Sequence, residues 1–121
     1  RVTVQTRPLF GKRGVLAESG ATFLKMDCEG AEVALLESAQ VNDWCAVSHL
    51  IFEWSFSKVR EIDRFRSVVA VLERAGFSVR FEGKGNWDVY LDSWPSKWRM
   101  DALIFATRSA HSSECARTYQ R

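Results

Sequence analysis

The chain has 121 residues, of which 46% are hydrophobic and 26% are charged, a composition typical of one globular domain with a packed core. Its 17 basic and 15 acidic residues leave a formal charge of +2 without a concentrated basic stretch, which argues against nucleic acid or an anionic membrane as the partner. No apolar run approaches the roughly 20 residues that span a bilayer. We therefore expect neither nucleic acid nor a membrane as a partner.

The cysteine pattern predicts reduced thiols. Cys28, Cys45 and Cys115 are odd in number and have neither C-x-x-C nor zinc-finger spacing, so we expect neither a disulfide framework nor a structural metal site. The first ten residues lack the apolar core and cleavage site of a signal peptide, and we predict a cytoplasmic protein. Arg1 stands where an initiating methionine would be expected, which predicts a fragment of a longer protein.

The first predicted core element begins after a leader segment, residues 1–20. In that leader Val2 and Val4 alternate with polar residues as in a short edge strand, and a proline and three glycines then indicate loops. The run "ATFLKMD" predicts a strand that ends at Asp27. Gly30 permits a sharp turn into "AEVALLESA", whose apolar residues recur at helical spacing.

A second strand and helix follow. The apolar run "VSHLIFEW" is uninterrupted, which predicts a strand buried on both faces, as in a parallel sheet covered by helices. Ser57 is the predicted N-cap of a long helix, and Gly76 is its predicted stop. Between these two residues, apolar side chains recur at steps of three and four: Val59, Ile62, Phe65, Val69 and Leu72.

After Phe77 the sequence predicts strands without another long helix. "FSVRFEG" alternates, "NWDVYLD" extends it or pairs with it, and "DALIFATR" is a further strand, joined through "SWPSKWRM" as an antiparallel partner. The tail, residues 109–121, has no periodicity and is predicted to be disordered. Strand, helix, strand, helix and closing strands predict an α/β fold with a mixed sheet.

Acidic residues lie at the carboxyl ends of both predicted parallel strands, where open α/β sheets bind ligands. Asp27 and Glu29 are two residues apart, and Glu53 ends the neighbouring strand. Carboxylates crowded in a cleft raise the pKa of at least one member, which suits a general base, or they recruit a cation. Acids beside a helix start can instead stabilise its exposed N–H groups. We assign that structural role to Glu32 and leave both roles open for Asp27 and Glu29.

Glu53 also interrupts an otherwise apolar strand. Because a buried acid without a partner is costly, we expect Glu53 to contact Lys25, Arg99 or a ligand.

The stretch "FLKMDCEGAEVALLESA" resembles the pattern K-[IM]-D-x-E-G-x-E followed by a short apolar helix, which is characteristic of the FkbM-type methyltransferase family. The matching positions are Lys25, Asp27, Glu29, Gly30, Ala31, Glu32 and Leu36. More loosely, "HLIFEWSF" is similar to the family's next strand with its terminal glutamate, and "VLERAGFSV" and "DALIFATR" are similar to its later helix and closing strand. The resemblance spans about residues 21–108, with residues 1–20 and 109–121 outside that domain.

This resemblance implies the carboxyl-terminal half of a Rossmann-like class I methyltransferase fold, with its fourth to seventh strands. It implies S-adenosylmethionine as cofactor and methyl transfer to a hydroxyl of a sugar or another small molecule. Asp27 would be the base on the acceptor side, and Glu29 would orient the acceptor. Glu53 would rank after these two as a catalytic residue. Asp27, Cys28 and Gly30 would line the cofactor.

Residues 1–20 lack the strand and glycine-rich turn that receive the cofactor in family members, so we expect a truncated enzyme that is inactive or binds the cofactor weakly alone. A half-domain would also expose apolar surface on its first parallel strand.

Two other functions stay open at this point. The three acids Asp27, Glu29 and Glu53 could bind Mg²⁺ in a phosphotransferase or nuclease-like domain, because this ion prefers hard oxygen ligands. The chain could also be a non-catalytic remnant or an interaction module. The sequence indicates no oligomeric state.

Overall fold

Helices and strands alternate along most of the described chain. The computed structural model describes residues 2–56, 59–82, 85–86, 100–108 and 114–115. The elements in chain order are helix α1 (Val15–Ser19), strand β1 (Phe23–Met26), helix α2 (Ala31–Ser38), a 3-10 helix (Val41–Trp44), strand β2 (His49–Phe56), helix α3 (Val59–Arg74), and strands β3 (Phe77–Phe81), β4 (Gly85–Asn86) and β5 (Met100–Arg108). None of the described helices is long and apolar enough to cross a membrane.

The strands of the described residues form one mixed sheet in the order β1-β2-β5-β3-β4. β1 and β2 are parallel, whereas β5 runs antiparallel to both β2 and β3, which flank it. β1, β2 and β3 therefore run in one direction, and β5 runs in the other. This arrangement confirms the predicted mixed α/β fold and is consistent with part of a Rossmann-like methyltransferase fold.

The first strand, turn and helix lie where the sequence predicts them. β1 occupies the centre of "ATFLKMD", and α2 begins directly after Gly30, whose φ of 105° is one that glycine adopts without a Cβ penalty. Leu36 and Ala39 are buried at the end of this unit. α2 contacts both β2 and α3, so its apolar side closes one part of the core.

Strand β2 is buried on one face only, which corrects the prediction of burial on both. Leu50, Phe52 and Trp54 are fully buried, whereas the alternating residues His49 and Glu53 are exposed. The reason is that α2 and α3 contact each other and both contact β2, so they cover the same face. Glu53 is therefore not a buried acid that needs a partner, contrary to the prediction.

The open face of the sheet carries apolar side chains, as expected for the first parallel strand. Phe23 of β1 is 54% exposed, and its ring stacks on His49 of β2 at a centroid distance of 6.1 Å. Further along the face, the Arg80 guanidinium lies 5.5 Å from the centre of the Phe105 ring. Long polar side chains thus cover part of this apolar surface.

Helix α3 provides the centre of the core. Phe65 is fully buried, and its ring lies edge-on to Trp54 and Phe56 of β2 at centroid distances of 5.5 and 5.1 Å. Each fully buried side chain of this size contributes roughly 1.5–3 kcal/mol. The helix ends just before Gly76, the predicted stop, whose φ is 98°. The predicted N-cap, Ser57, lies outside the described residues.

Residues 2–20 differ from the predicted edge strand and loops. They form no strand, and Val2 is 88% exposed. Instead, α1 buries Leu16 in the core, and the ring of Phe10 packs edge-on against Trp44 at 4.9 Å between centroids. A few apolar side chains therefore attach this segment to the core.

The closing strands agree with the sequence where the structure describes them. β3 coincides with the alternating part of "FSVRFEG", and β5 contains all of "DALIFATR". The pairing of these two strands with each other is antiparallel, and β4 adds a short antiparallel edge to β3. The predictions for most of "NWDVYLD" and for the loop "SWPSKWRM" concern residues 87–99, which lie outside the described residues.

Cys45 and Cys115 form a disulfide, which corrects the prediction of reduced thiols. Their Cα atoms are 5.3 Å apart although 70 residues separate them in sequence, and both residues are buried. Spacing along the chain gives no signal for such a pair because only the tertiary fold brings the two residues together. The predicted disordered tail is thus attached to the core at Glu114–Cys115. Cys28 is left as a free, exposed thiol.

Candidate functional site

A cavity of about 600 Å³ opens where β1 and β2 end. Residues from two strands, from the turn after β1 and from the first turns of two helices line it. The lining residues are Asp27, Glu29, Gly30, Glu32, Val33, Glu53, Ser55, Glu61 and Asp101. The three acids predicted to be catalytic, Asp27, Glu29 and Glu53, thus meet at one cavity.

The strand register explains why these residues meet. Met26 lies opposite Phe52 in the parallel pair, so Asp27 and Glu53 follow at the same level of the sheet. On the other side of β2, Ser55 lies opposite Asp101 of the antiparallel strand β5. The carboxyl ends of two parallel strands and the amino end of an antiparallel strand therefore share one edge.

Glu32 holds the turn that carries the acids. Its carboxylate is 3% exposed and accepts hydrogen bonds from the backbone N–H groups of Cys28 at 2.6 Å and Gly30 at 2.7 Å. Burial raises the pKa of Glu32, but the N–H donors of Cys28, of Glu32 itself and of Gly30 outweigh burial, and the pKa is lowered overall. Glu32 is therefore a charged acceptor inside the turn, which confirms its predicted structural role.

The backbone of the turn is left-handed after Cys28. Glu29 has a φ of 51°, in the left-handed region that few residues other than glycine adopt, and Gly30 follows with φ also positive. With this backbone, Asp27 and Glu29 both line the cavity.

Cys28 and Gly30, the other residues predicted to contact a cofactor, have different positions. Gly30 lines the cavity, but Cys28 is exposed and is not among the lining residues. The contribution of Cys28 to the site is its backbone N–H, which Glu32 binds.

Glu61 and Asp101 line the cavity although the sequence did not predict them as site residues. Glu61 lies in the first turn of α3, where the helical pattern indicates only a water-facing position. Asp101 reaches the cavity through the antiparallel register of β5, which the sequence does not specify. The sequence feature that could have indicated Asp101 is its position as a charged residue at the start of the apolar strand "DALIFATR".

An ion-pair network supports the wall of the cavity. Arg64 of α3 contacts Glu61 at 3.4 Å and also binds Glu37 of α2, with its Nε 3.1 Å from Glu37 Oε2. A side-chain hydrogen bond from Arg64 lowers the pKa of Glu37 and outweighs the effect of burial. The network joins the two helices whose first turns line the cavity.

The described side chains that line the cavity carry negative charge and no positive charge. Six carboxylates line it, and no lysine or arginine is among the described residues that do so. Among the residues that the structure describes, no group of three or more His, Cys, Asp and Glu side chains is arranged to hold a metal ion. The geometry therefore gives no support to the predicted Mg²⁺ alternative.

Fold and cavity together define a Rossmann-like α/β domain with its site at the strand edge where such sheets bind ligands. A family model, the methyltransferase FkbM domain, matches residues 1–79 of the 121. The chain belongs to this family, and the resemblance of its acidic turn is confirmed. No curated protein and no solved structure matches the chain significantly.

The family match includes the acidic turn and most of the described core. It begins at residue 1, before the predicted start at 21, and ends within β3 at residue 79. Asp27, Glu29 and Glu53 all lie inside it, whereas Asp101 lies beyond it. The chain is therefore a methyltransferase-family domain.

Proposed function

We propose that this domain serves S-adenosylmethionine-dependent methyl transfer to a hydroxyl oxygen of a small molecule or glycan. Membership of the FkbM family supports methyl transfer. The observation that carries the proposal is the meeting of Asp27, Glu29 and Glu53 at one cavity at the carboxyl edge of β1 and β2. Hydroxyl groups suit this lining because carboxylates accept hydrogen bonds from them.

The cavity fits one end of the cofactor. When bound, S-adenosylmethionine supplies an electrophilic methyl group on a cationic sulfonium. Carboxylates at the cavity favour that positive charge, and Asp27 and Gly30 would line this end of the cofactor. The described lining residues include no basic side chain for the carboxylate of the cofactor, so this chain alone would hold it through the sulfonium and hydroxyl groups.

The acids differ in what they can do. Asp27 is exposed at the end of β1 and would accept the proton of the acceptor hydroxyl as negative charge develops on its oxygen. Glu29, which lines the cavity, would accept a hydrogen bond from the acceptor and orient it. Glu53 would bind a second hydroxyl. Orientation of this kind contributes to rate because the reacting oxygen must lie in line with the methyl group.

Calorimetric titration with S-adenosylmethionine and transfer of a labelled methyl group to a panel of sugars would test the proposal. Asp27→Asn should lower the transfer rate by about 10²–10⁴-fold, the usual contribution of a general base. Asp63→Asn is the matched control because Asp63 is exposed on α3 and does not line the cavity. A rate within a few-fold of wild type in Asp27→Asn would refute the assignment of the base. If the wild-type chain showed neither cofactor binding nor methyl transfer, the proposed function would be refuted.

The cellular location is a separate proposal. The predicted cytoplasmic location stays a prediction, and the Cys45–Cys115 disulfide favours a compartment in which thiols are oxidised.

A further inference from the structure

We propose that the Cys45–Cys115 disulfide is a redox-controlled clasp, which locks Glu114–Cys115 onto the end of α3 when oxidised and releases them when reduced. The two cysteines lie on segments that are otherwise distant in sequence. The clasp does not rest on the proposed methyl transfer, since neither cysteine lines the acidic cavity.

The clasp and the cavity lie at opposite ends of the strands. Cys45 precedes the amino end of β2, and Arg108 ends the antiparallel strand β5 beside it. Glu53 and Ser55 lie near the other end of β2, roughly 20 Å away at the usual rise per residue of a strand. Reduction should therefore loosen one edge of the domain and leave the acidic turn in place.

An exposed ion pair also holds the segment that the disulfide attaches. Glu114 binds the guanidinium of Arg74 through two contacts of 3.1 and 3.2 Å, but Arg74 is exposed, and an exposed ion pair contributes little to stability. The one deeply buried residue of the segment is Cys115. The disulfide is therefore the covalent link between the segment and the core.

Attachment also completes a second cavity. A space of about 300 Å³ lies between α3 and the 3-10 helix, and Glu114 and Arg74 form part of its wall. Release of Glu114 would open that wall, so the redox state of the clasp determines whether this cavity is closed on that side.

The chemistry of closure is thiol–disulfide exchange with a small-molecule disulfide such as oxidised glutathione. One cysteine thiolate attacks a sulfur of the small disulfide and releases one small thiol. The other cysteine thiolate then attacks the mixed disulfide and releases the second. The two protein thiols lose two electrons and two protons in total, and the two small thiols gain them.

Arg108 lies against both halves of the closed clasp. Its Nη1 lies 3.5 Å from Cys115 Sγ, and another of its N–H groups donates to the carbonyl of Cys45. A positive charge at this position would stabilise a cysteine thiolate, the reactive form, as the two halves meet.

A thiol count tests whether the bond forms. The full chain is equilibrated in a buffer of oxidised and reduced glutathione, freed of it, and titrated with a thiol reagent in denaturant. One reactive thiol per chain, that of Cys28, is expected before reduction, and three are expected after it. Three thiols before reduction would overturn the proposal.

Thermal unfolding and hydrogen exchange then test the clasp itself. Reduction should lower the melting temperature of wild type and of the control Cys28→Ala by roughly 10 °C, whereas Cys115→Ala should not respond to reductant. In the wild-type chain, reduction should make the amides around residue 115 exchange at least about tenfold faster and leave those of residues 27–30 unchanged. Unchanged exchange around residue 115 would overturn the clasp even if the disulfide forms, and this measurement needs no variant to fold.

Discussion

Replacement of Glu32 by glutamine tests whether the acidic turn depends on one buried carboxylate. In the native turn both carboxylate oxygens accept a backbone N–H, from Cys28 and from Gly30. Glutamine has nearly the same shape, but it offers one acceptor oxygen and an NH₂ group. Whichever N–H then faces that NH₂ group loses its acceptor, and the remaining bond loses the strength that a charged acceptor gives.

The expected cost follows from these two bonds. A hydrogen bond to a charged group contributes about 1.5–3 kcal/mol, and a neutral one contributes about 1 kcal/mol. Loss of one bond and weakening of the other predict a decrease of about 2–3 kcal/mol in the free energy of unfolding. In urea this corresponds to a midpoint lower by about 1 M, for a slope of about 2–3 kcal/mol/M.

The effect should depend on pH in one direction. The folded-state pKa of Glu32 lies below its ordinary value of 4.5, so the ionised carboxylate stabilises the fold fully above that ordinary value. This stabilisation is lost as the pH falls through the lower folded-state pKa. The difference between wild type and Glu32→Gln should therefore be constant near neutral pH and shrink below about pH 4.5.

Urea unfolding at several pH values measures this difference, with Glu73→Gln as the control because Glu73 is an exposed acid on α3. Glu73→Gln should stay within about 0.5 kcal/mol of wild type. A Glu32→Gln variant as stable as Glu73→Gln, or a difference that persists unchanged to low pH, would show that the carboxylate does not hold the turn.

Three further substitutions test the core, the turn and the helix pair. Phe65→Ala should lower the free energy of unfolding by about 3–5 kcal/mol, measured by urea unfolding, because Phe65 is fully buried between two aromatic rings of β2; a loss below about 1 kcal/mol would contradict this central position. Gly30→Ala should cost about 1 kcal/mol through its φ of 105° although a Cβ would meet no atom within 4 Å. Gly20→Ala is its control, because Gly20 is equally open and has a φ of 68°. Both variants should be less stable in urea, but only Gly30→Ala should bind the cofactor more weakly in calorimetry. Equal cofactor binding by the two variants would contradict a role of the turn. Arg64→Ala should lower the urea midpoint by less than about 0.5 M, because the side chains of Arg64 and Glu37 are each 38% exposed and an exposed ion pair contributes little. A midpoint lower by more than about 1 M would mean a stronger link between α2 and α3.

Local patterns predicted the elements that bury a regular apolar face. The three- and four-residue spacing around Phe65 predicted α3, and alternation predicted β3, because each pattern corresponds to only one regular backbone geometry. The uninterrupted apolar run of β2 predicted its existence but not its burial. Whether a second face is covered depends on where the helices cross, and both described helices on β2 cover the same face.

The predicted site depended on a different kind of information. Asp27, Glu29 and Glu53 could be predicted because each lies in, or shortly after, the carboxyl-terminal part of a strand that is recognisable in the sequence. Asp101 could not, because its place beside Ser55 comes from the antiparallel register of β5. The disulfide could not be predicted either, because only the fold brings Cys45 and Cys115 together. Contacts that follow from chain order were visible in the sequence, and contacts that follow from register or closure were not.

The turn shows how one sequence motif divides its charges between structure and site. A helix start can satisfy an acid with backbone N–H groups, and Glu32 takes that role from a buried position. Because these N–H groups are occupied, the turn does not need Asp27 or Glu29 as caps, and both carboxylates stay exposed at the cavity. The left-handed backbone of Glu29, which costs about 1–3 kcal/mol in isolation, persists because the two bonds of Glu32 fix the residues on either side of it. The buried acid is therefore what allows the exposed acids to face the cavity.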